Sequence, residues 1–243
     1  MTGEVKNPGT YDIIAGDTVS KLITRAGGLT DDAYPSGAIL SRKSERMREE
    51  QRYKAQAQEL ELRLAEALQQ KNKDHEPSEQ ELGFARNLIA ELKSAQALGR
   101  ITFESNPDIL ATAPELDMLL ESGDRLYIPK RPLSVRVAGE VLSPATLQFR
   151  AGKDSRTYID EAGGFTYDAD SDRAFVIYPD GSANPLAVSS WNHKDDMIPP
   201  GSTIIVPRDP KPLTFMDGAK DLSQILANLA TTAIFAEDIA DGD

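Results

Sequence analysis

A short motif that occurs twice constrains the fold of this chain more than any other feature. Gly-Glu-Val followed by Ala-Gly-Gly stands at residues 3–5 and 26–28, and again at residues 139–141 and 162–164. The offset is 136 residues throughout, and 14 of 33 aligned positions are identical between residues 2–34 and 138–170. Unrelated segments of ordinary composition would share roughly two. An internal repeat of this kind indicates one structural unit used twice, to which the other segments are additions.

The repeated unit has the pattern of a small sheet with one helix. A short strand leads into the turn residues Asn7-Pro8-Gly9, and residues 10–14 are the expected return strand. Asp17 is expected to cap a helix, which has one apolar face and ends at Gly27-Gly28. The remaining strands are expected at residues 38–40 and 125–129 of the first copy and at residues 203–207 of the second. We therefore predict an α+β fold of two tandem β-grasp units, each with a helix packed across a mixed sheet.

The first copy carries an insertion. It is 58 residues longer than the second, and the extra residues begin after Arg42. Apolar residues recur there at heptad-like spacing in two runs, Tyr53, Ala57, Leu60, Leu64 and Ala67, then Leu82, Ala85, Ile89 and Leu92. We predict an antiparallel helical hairpin over residues 44–70 and 79–97. It either lies against its own domain or projects as an arm that contacts a neighbour, and the sequence leaves both interpretations open.

Four parts are thus expected along the chain. The first β-grasp domain is discontinuous, at residues 1–43 and 99–131, with the hairpin at residues 44–98 between them. The second β-grasp domain is expected at residues 132–209, and an amphipathic helix with an acidic tail at residues 213–243.

The last helix has an apolar stripe that consists of Leu222, Ile225, Leu226, Leu229 and Ala233. Residues 222–236 contain no charge, but this run is shorter than the ~20 residues that span a bilayer unaided. The helix therefore either packs on the second domain or inserts into a membrane as part of an oligomeric bundle.

Composition excludes several classes of function. The net charge of −12 argues against nucleic acid and anionic lipid as partners, because both attract basic surfaces. The chain has no cysteine, which removes disulfides and thiolate catalysis. Met1 is followed directly by repeat sequence, without the pattern of a signal peptide. We expect the chain to be a fragment of a longer protein.

No catalytic or metal-binding pattern stands out. His75 and His193 lie far apart in the sequence, in predicted loops, and neither belongs to a His-x-x-x-His motif. Asp168, Asp170 and Asp172 imitate the start of a calcium loop, but the Gly and Glu that such a loop needs further on are missing. The Gly-Gly pairs follow a helix instead of opening one, which favours helix capping over phosphate binding. We therefore predict a protein that is not an enzyme and has no cofactor or metal.

Three aromatic residues of the second copy are candidates for carbohydrate contact: Phe165, Tyr167 and Trp191. Aromatic rings offer large flat apolar faces, and they fill cores as readily as they meet ligands. Packing inside the second domain is therefore the alternative interpretation of all three.

Taken together, these motifs resemble a known family. Gly-Glu-Val-x-x-Pro-Gly-x-Tyr, Ala-Gly-Gly-Leu-Thr-x-x-Ala and Gly-Asp-Arg-Leu-Tyr-Ile-Pro begin at residues 3, 26 and 123. In this order they resemble the SLBB (soluble-ligand-binding β-grasp) domain of bacterial polysaccharide export proteins. The second copy departs from the pattern at Ala145, Leu147 and Ser202. The inserted hairpin and residues 220–226 also look like this family, which includes Wza-type exporters and a GfcC-like branch from capsule operons.

The resemblance implies a non-enzymatic component of a capsule or exopolysaccharide export channel in the periplasm or outer membrane. The implied partners are polysaccharide, further copies of the chain and an inner-membrane polysaccharide co-polymerase, with outer-membrane contact through the C-terminal helix. The GfcC-like branch implies an alternative, a soluble periplasmic protein that binds or scaffolds polysaccharide. The sequence departs from the exporters in having no signal peptide, lipid-attachment Cys or N-terminal export domain, as a fragment would.

Overall fold

The chain folds as a mixed α+β protein with two mixed sheets and several helices, which confirms the predicted class at that level. The structure is a computed structural model that describes residues 1–69, 79–186, 188–189, 192–193 and 197–208. The chain forms two compact units. The described residues of one lie within 1–42 and 100–208, and those of the other within 43–69 and 79–99.

The first sheet is built by the first copy of the repeat. Its strands are β1 (Thr2–Gly3), β2 (Ile39–Ser41), β3 (Arg100–Ile101) and β4 (Arg125–Ile128). They lie in the order β1-β4-β2-β3, with β1 parallel to β4 and β2 antiparallel to both of its neighbours. Helix α1 (Val19–Arg25) buries its apolar face in the same core as Leu40 and Ile128. A short helix, α4 (Pro107–Thr112), contributes Leu110 to this core.

The second sheet repeats this plan. Its strands are β5 (Ser134–Gly139), β6 (Ala145–Gln148), β7 (Phe175–Ile177), β8 (Ala183–Pro185) and β11 (Thr203–Val206), in the order β6-β5-β11-β7-β8. β5 is parallel to β11, and the other pairs are antiparallel. Helix α5 (Ser155–Glu161) places Tyr158 and Ile159 in the core. The strands β9 (Val188–Ser189) and β10 (Asn192–His193) pair with each other.

Residues 10–14 do not form the expected return strand. In the second copy the equivalent strand, β6, pairs with residues 134–137 of β5. The equivalent pairing in the first copy is limited, among the described residues, to Met1 and Gly9, which correspond to Val137 and Ala145 and exchange backbone hydrogen bonds, both of 2.9 Å. A strand pattern without a neighbouring strand to pair with is not realised, because strand preference depends on its context in a sheet.

Two long helices occupy the insertion, α2 (Lys43–Gln69) and α3 (Glu79–Ser94). They pack along a buried apolar seam that consists of Tyr53, Ala57, Leu60, Leu64, Ala85, Leu88, Ile89 and Leu92. Lys93 and Glu61 form an ion pair of 2.5 Å across the two helices. The heptad-like spacing in the sequence thus identified most of the residues by which the helices contact each other.

The insertion lies in a loop that is a tight turn in the second copy. Five residues, 178–182, join β7 to β8, whereas 58 residues, 42–99, join β2 to β3. Arg42 is fixed where β2 ends, with ion pairs of 2.7 Å to Asp124 and 3.0 Å to Glu121. A loop between paired strands tolerates added residues well, because each doubling of its length costs only about 0.6 kcal/mol of loop-closure free energy.

The repeated motifs meet in each copy and hold two backbone segments together. In the second copy the N–H groups of Leu142 and Ser143 donate to the carbonyls of Gly164 and Ala162, at 3.0 and 2.8 Å. The hydroxyl of Thr166 donates to the Glu140 carboxylate at 2.8 Å, and the Thr166 N–H donates to the Glu140 carbonyl. The first copy makes the same four bonds with residues 136 positions earlier. We call this arrangement the motif crossing.

The first glycine of each motif is required by close approach to a strand. A Cβ on Gly3 would lie 2.0 Å from the Ile128 carbonyl oxygen, and one on Gly139 would lie 2.0 Å from that of Val206. Both glycines also have positive φ, 84° and 90°, which other residues rarely adopt. The Gly-Gly pairs confirm the predicted helix stop, since the N–H groups of residues 27 and 28 bond back to α1 carbonyls.

The helices of the two copies are capped differently. In α5 the Asp154 side chain accepts the Thr157 N–H at 2.8 Å. The equivalent residue of the first copy, Thr18, makes no side-chain cap bond. Instead Asp117, in the loop before β4, accepts the N–H of Ser20 at 3.0 Å and its hydroxyl at 2.5 Å. The first helix is therefore capped by a distant segment of the chain.

The prediction that Asp17 caps α1 is wrong. Its carboxylate accepts the Ile14 N–H at 3.1 Å and forms a 2.9 Å ion pair with Arg25 at the end of the helix. The equivalent residues of the second copy are Lys153 and Glu161, and they also form an ion pair. The pair thus occupies the same place in both copies with its polarity reversed.

Replacing Asp117 with Ala should lower the free energy of unfolding by about 1 kcal/mol at neutral pH, the usual effect of a lost cap. Partial burial raises the pKa of Asp117, but hydrogen bonds from Ser20 and Thr18 outweigh it and hold the pKa below its ordinary value of 3.8. Because the folded pKa is the lower one, the stabilisation is complete above the unfolded pKa and is lost as pH falls through the folded pKa. Urea unfolding at stepped pH should show variant and wild type converging in acid.

The control for this experiment is Asp31→Ala, at an exposed position. Its effect on the free energy of unfolding should be small and should not follow the same pH course. A difference between wild type and Asp117→Ala that stays constant into acid would contradict the assigned role of the Asp117 carboxylate.

Replacing Thr166 with Val should destabilise the protein by about 1–2 kcal/mol, because the half-buried Glu140 carboxylate loses a hydroxyl donor while side-chain shape is kept. Thr146→Val, at an exposed position on β6, is the matched control and should change the free energy of unfolding little. Chemical denaturation measures both variants. Equal changes in the free energy of unfolding for the two variants would show that the hydrogen bond from the Thr166 hydroxyl does not stabilise the motif crossing.

Candidate functional site

The acidic residues that imitate a calcium loop form ion pairs. Asp168 contacts Arg208 at 2.7 Å and Asp170 contacts Arg173 at 2.6 Å. The first of these recurs in the first copy as Asp32 with Lys130, also at 2.7 Å. Within the residues that the structure describes, no group of three or more His, Asp or Glu side chains could hold a metal ion. The repeated pair therefore has a structural explanation, since it joins the loop after the motif to the end of the last strand.

His75 lies outside the described residues, and of His193 only the backbone, in β10, is described.

Phe165 and Tyr167, two of the aromatic candidates, lie in one loop but in different environments. Phe165 is half-buried, packs against the core of the second sheet and pairs with Val141 in the motif crossing. The Arg156 guanidinium lies 5.4 Å from the centre of its ring, within the range of a cation–π contact. Tyr167 is fully exposed, at 103%. Trp191 lies outside the described residues.

The backbone on both sides of Tyr167 is fixed. Thr166 before it bonds to Glu140 in the motif crossing, and Asp168 after it pairs with Arg208. A fully exposed aromatic ring on such a loop would lose little backbone freedom on binding a ligand. This geometry suits stacking on a flat apolar face of a ligand.

The two copies differ at exposed positions of this framework. Tyr167 stands where the first copy has Asp31, and Leu142, 69% exposed, stands where the first copy has Lys6. Both of the first-copy residues are exposed and charged. The second copy therefore presents apolar surface where the first presents charge, which indicates different contacts for the two.

The predicted membrane or oligomer stripe lies outside the described residues; it consists of Leu222, Ile225, Leu226, Leu229 and Ala233. None of the helices in the described parts of the chain has both the length and the apolar character needed to cross a membrane.

Sequence reasoning missed two polar residues that join distant segments. Asp117 caps a helix whose Ser20 lies 97 residues away, and Arg100 donates to the carbonyl of Pro179, 79 residues away. No spacing rule connects positions so far apart, so neither contact had a signal in a single sequence.

Comparison with known families gives two matches. Residues 1–52 match the family described as SLBB domain, and residues 143–231 match the family described as capsule biosynthesis GfcC C-terminal. The first match includes the first copy of the repeated motif. The second begins at Ser143, just after the second Gly-Glu-Val.

Individual relatives are similar over about half of the chain. It is 28% identical to the uncharacterized protein YjbG of Escherichia coli strain K12 over 119 residues, 49% of this chain and 48% of that protein. It is 31% identical to a polysialic acid transport protein KpsD of Escherichia coli over 129 residues, 52% of this chain and 20% of that protein. A second KpsD sequence is 30% identical with the same coverage. The matched region thus spans about half of one relative and a fifth of the other. The resemblance that the motifs indicated is confirmed: the chain matches the SLBB domain over residues 1–52 and the GfcC C-terminal family over residues 143–231, and it is similar to the polysaccharide transport protein KpsD over about half of its length.

Proposed function

We propose that the chain is a non-enzymatic component of a capsule or exopolysaccharide export channel and forms the periplasmic part of an outer-membrane exporter. The observation that carries the proposal is the similarity to KpsD, whose name describes polysialic acid transport, over 52% of this chain. The two family matches support it, because they fall on the two copies of the repeat separately.

The architecture that belongs to this proposal has four parts. The two sheets with their helices are tandem β-grasp domains, at residues 1–43 with 99–131 and at residues 132–209. The four strands of the first sheet, β1, β4, β2 and β3, correspond to β5, β11, β7 and β8 of the second, which has β6 in addition. The other two parts are the inserted hairpin, described next, and the C-terminal amphipathic helix of residues 213–243.

The insertion, residues 44–98, is an antiparallel hairpin in this proposal. The contacts support that direction: Glu61 of α2 pairs with Lys93 near the end of α3, and Glu49, earlier in α2, accepts the N–H of Gly99, which follows α3. The later residue of α2, Glu61, thus contacts the earlier partner, Lys93, and the earlier residue, Glu49, contacts the later partner, Gly99, as expected for antiparallel helices.

The partners in this proposal are polysaccharide, further copies of the chain and an inner-membrane polysaccharide co-polymerase. The C-terminal stripe of Leu222, Ile225, Leu226, Leu229 and Ala233 contacts the outer membrane or a neighbouring copy. The corresponding place in the cell is the periplasm and outer membrane.

A soluble periplasmic protein that binds or scaffolds polysaccharide is the second candidate. The exposed Tyr167 on a fixed loop favours it, since a preformed aromatic surface suits a sugar ring. Phe165 and Trp191 belong to the same proposed contact, with Phe165 supporting the loop through its packing against the core.

Deleting the gene from its own organism tests the shared core of both candidates. Surface polysaccharide should fall and recover when the full chain is supplied in trans. Unchanged surface polysaccharide in the deletion strain would overturn the proposed function. Mass measurements in detergent and in buffer then separate the candidates, since an exporter component should form oligomers in detergent and a soluble binding protein should stay monomeric in both.

Replacing Tyr167 with Ala should weaken binding of an oligosaccharide of the exported polymer by roughly two- to tenfold, the value of one aromatic contact. Asp31→Ala, at the equivalent position of the first copy, is the matched control and should leave the affinity unchanged. Titration calorimetry measures both. Equal affinity of the Tyr167 variant and wild type would remove this residue from the proposed contact.

A further inference from the structure

The two sheets lie in the same compact unit and meet at the turn of residues 178–182, between β7 and β8. Arg100, the first residue of β3, donates from Nη2 to the Pro179 carbonyl at 2.8 Å. A Cβ placed on Gly181 would lie 2.4 Å from Cζ of Arg100, so the guanidinium rests directly against the backbone of the turn. A strand of the first sheet is thereby joined to a loop of the second.

Proline contacts reinforce this junction. Residues 129–133 connect β4 of the first sheet to β5 of the second. Pro132 in this linker lies close to Gly201, whose Cβ would be 2.5 Å from Cγ of Pro132 and 3.4 Å from Cγ of Pro179. The linker, the loop before β11 and the β7–β8 turn therefore converge at one place. Proline rings restrict the backbone there, because their φ is fixed.

Tyr34 of the first copy also faces the junction. Partial burial raises its pKa, and the charges of Arg131 in the linker and Asp180 in the turn act on it in opposite directions. The phenol therefore lies within electrostatic range of both segments.

The turn itself is braced from within. Asp180 accepts the N–H and the hydroxyl of Ser182, at 2.9 and 2.6 Å. The N–H of Gly181 donates to the Tyr178 carbonyl, and the N–H of Tyr178 donates to the Ser182 carbonyl, both at 2.8 Å. A turn closed by four hydrogen bonds deforms little, so a contact with it fixes position as well as proximity.

We propose that Arg100 and the turn of residues 178–182 form a fixed joint that holds the two sheets in one mutual orientation. Arg100 is then a positioning residue: a polysaccharide or a neighbouring copy meets the two sheets as one continuous surface, a consequence that rests on the proposed function. Arginine suits this place because its planar guanidinium can lie against the backbone and donate at the same time, whereas a lysine ammonium cannot.

Distances between the two sheets test the joint directly. The chain has no cysteine, so Thr24→Cys on α1 and Asp160→Cys on α5, exposed positions related by the repeat, can carry two spin labels. Otherwise wild-type protein should give one narrow distance distribution. Adding Arg100→Ala should broaden it, and Arg136→Ala, at an exposed position on β5, should leave it narrow.

The unfolding temperature of each variant is measured beside the distances. If Arg100 only stabilised the fold, its replacement would lower the unfolding temperature without broadening the distance distribution. A narrow distribution in folded Arg100→Ala protein would overturn the joint. If Arg100→Ala fails to fold, Arg100→Gln takes its place. A broadened distance distribution would then support the joint, and a narrow one would overturn it.

The positioning role is tested separately in the deletion strain. Full-length protein with Arg100→Ala should restore less surface polysaccharide than protein with Arg136→Ala. Full restoration by a variant with a broadened distribution would overturn the positioning role but leave the proposed function intact. If the proposed function is wrong, deleting the gene should leave surface polysaccharide unchanged. That result would not affect the distance measurements, which test the joint alone.

Discussion

The hydrogen bonds of the motif crossing are the constraint on which the rest of this structure depends. Where the first strand of each copy ends, its backbone turns away and is held against the segment that follows the helix by the bond between Glu140 and Thr166, or Glu4 and Thr30. This bond and its backbone neighbours fix where the helix must end relative to the sheet. The helix then packs against the sheet in the same arrangement in both copies.

The predictable parts of the fold were those with a local signal. Glycines at fixed spacing and an apolar period of seven depend on neighbours in sequence, so the helix stops and the seam of α2 and α3 followed from the residue pattern. The strand expected at residues 10–14 failed because pairing needs a second strand, which no local pattern supplies. Asp117 and Arg100 act across long stretches of chain, and only the folded structure brings them to their partners. Of the predicted contact residues, Tyr167 and Phe165 could be placed.

The loop between the second and third strands of the sheet is used in opposite ways by the two copies. In the first it opens into two helices, and Arg42 fixes its start to the strand edge through Asp124. In the second it closes within five residues and receives Arg100. The same loop therefore carries the insertion in one copy and a contact to the other sheet in the second.

The reversed ion pair shows how sequence change is coupled inside the repeat. Asp17 with Arg25 and Lys153 with Glu161 occupy equivalent places, so two copies of one ancestral unit differ there by two changes of sign. Either change alone would have placed two like charges together, one of them largely buried, at a substantial cost in free energy. The place therefore suits opposite charges in both copies, and the fold does not specify which side carries which.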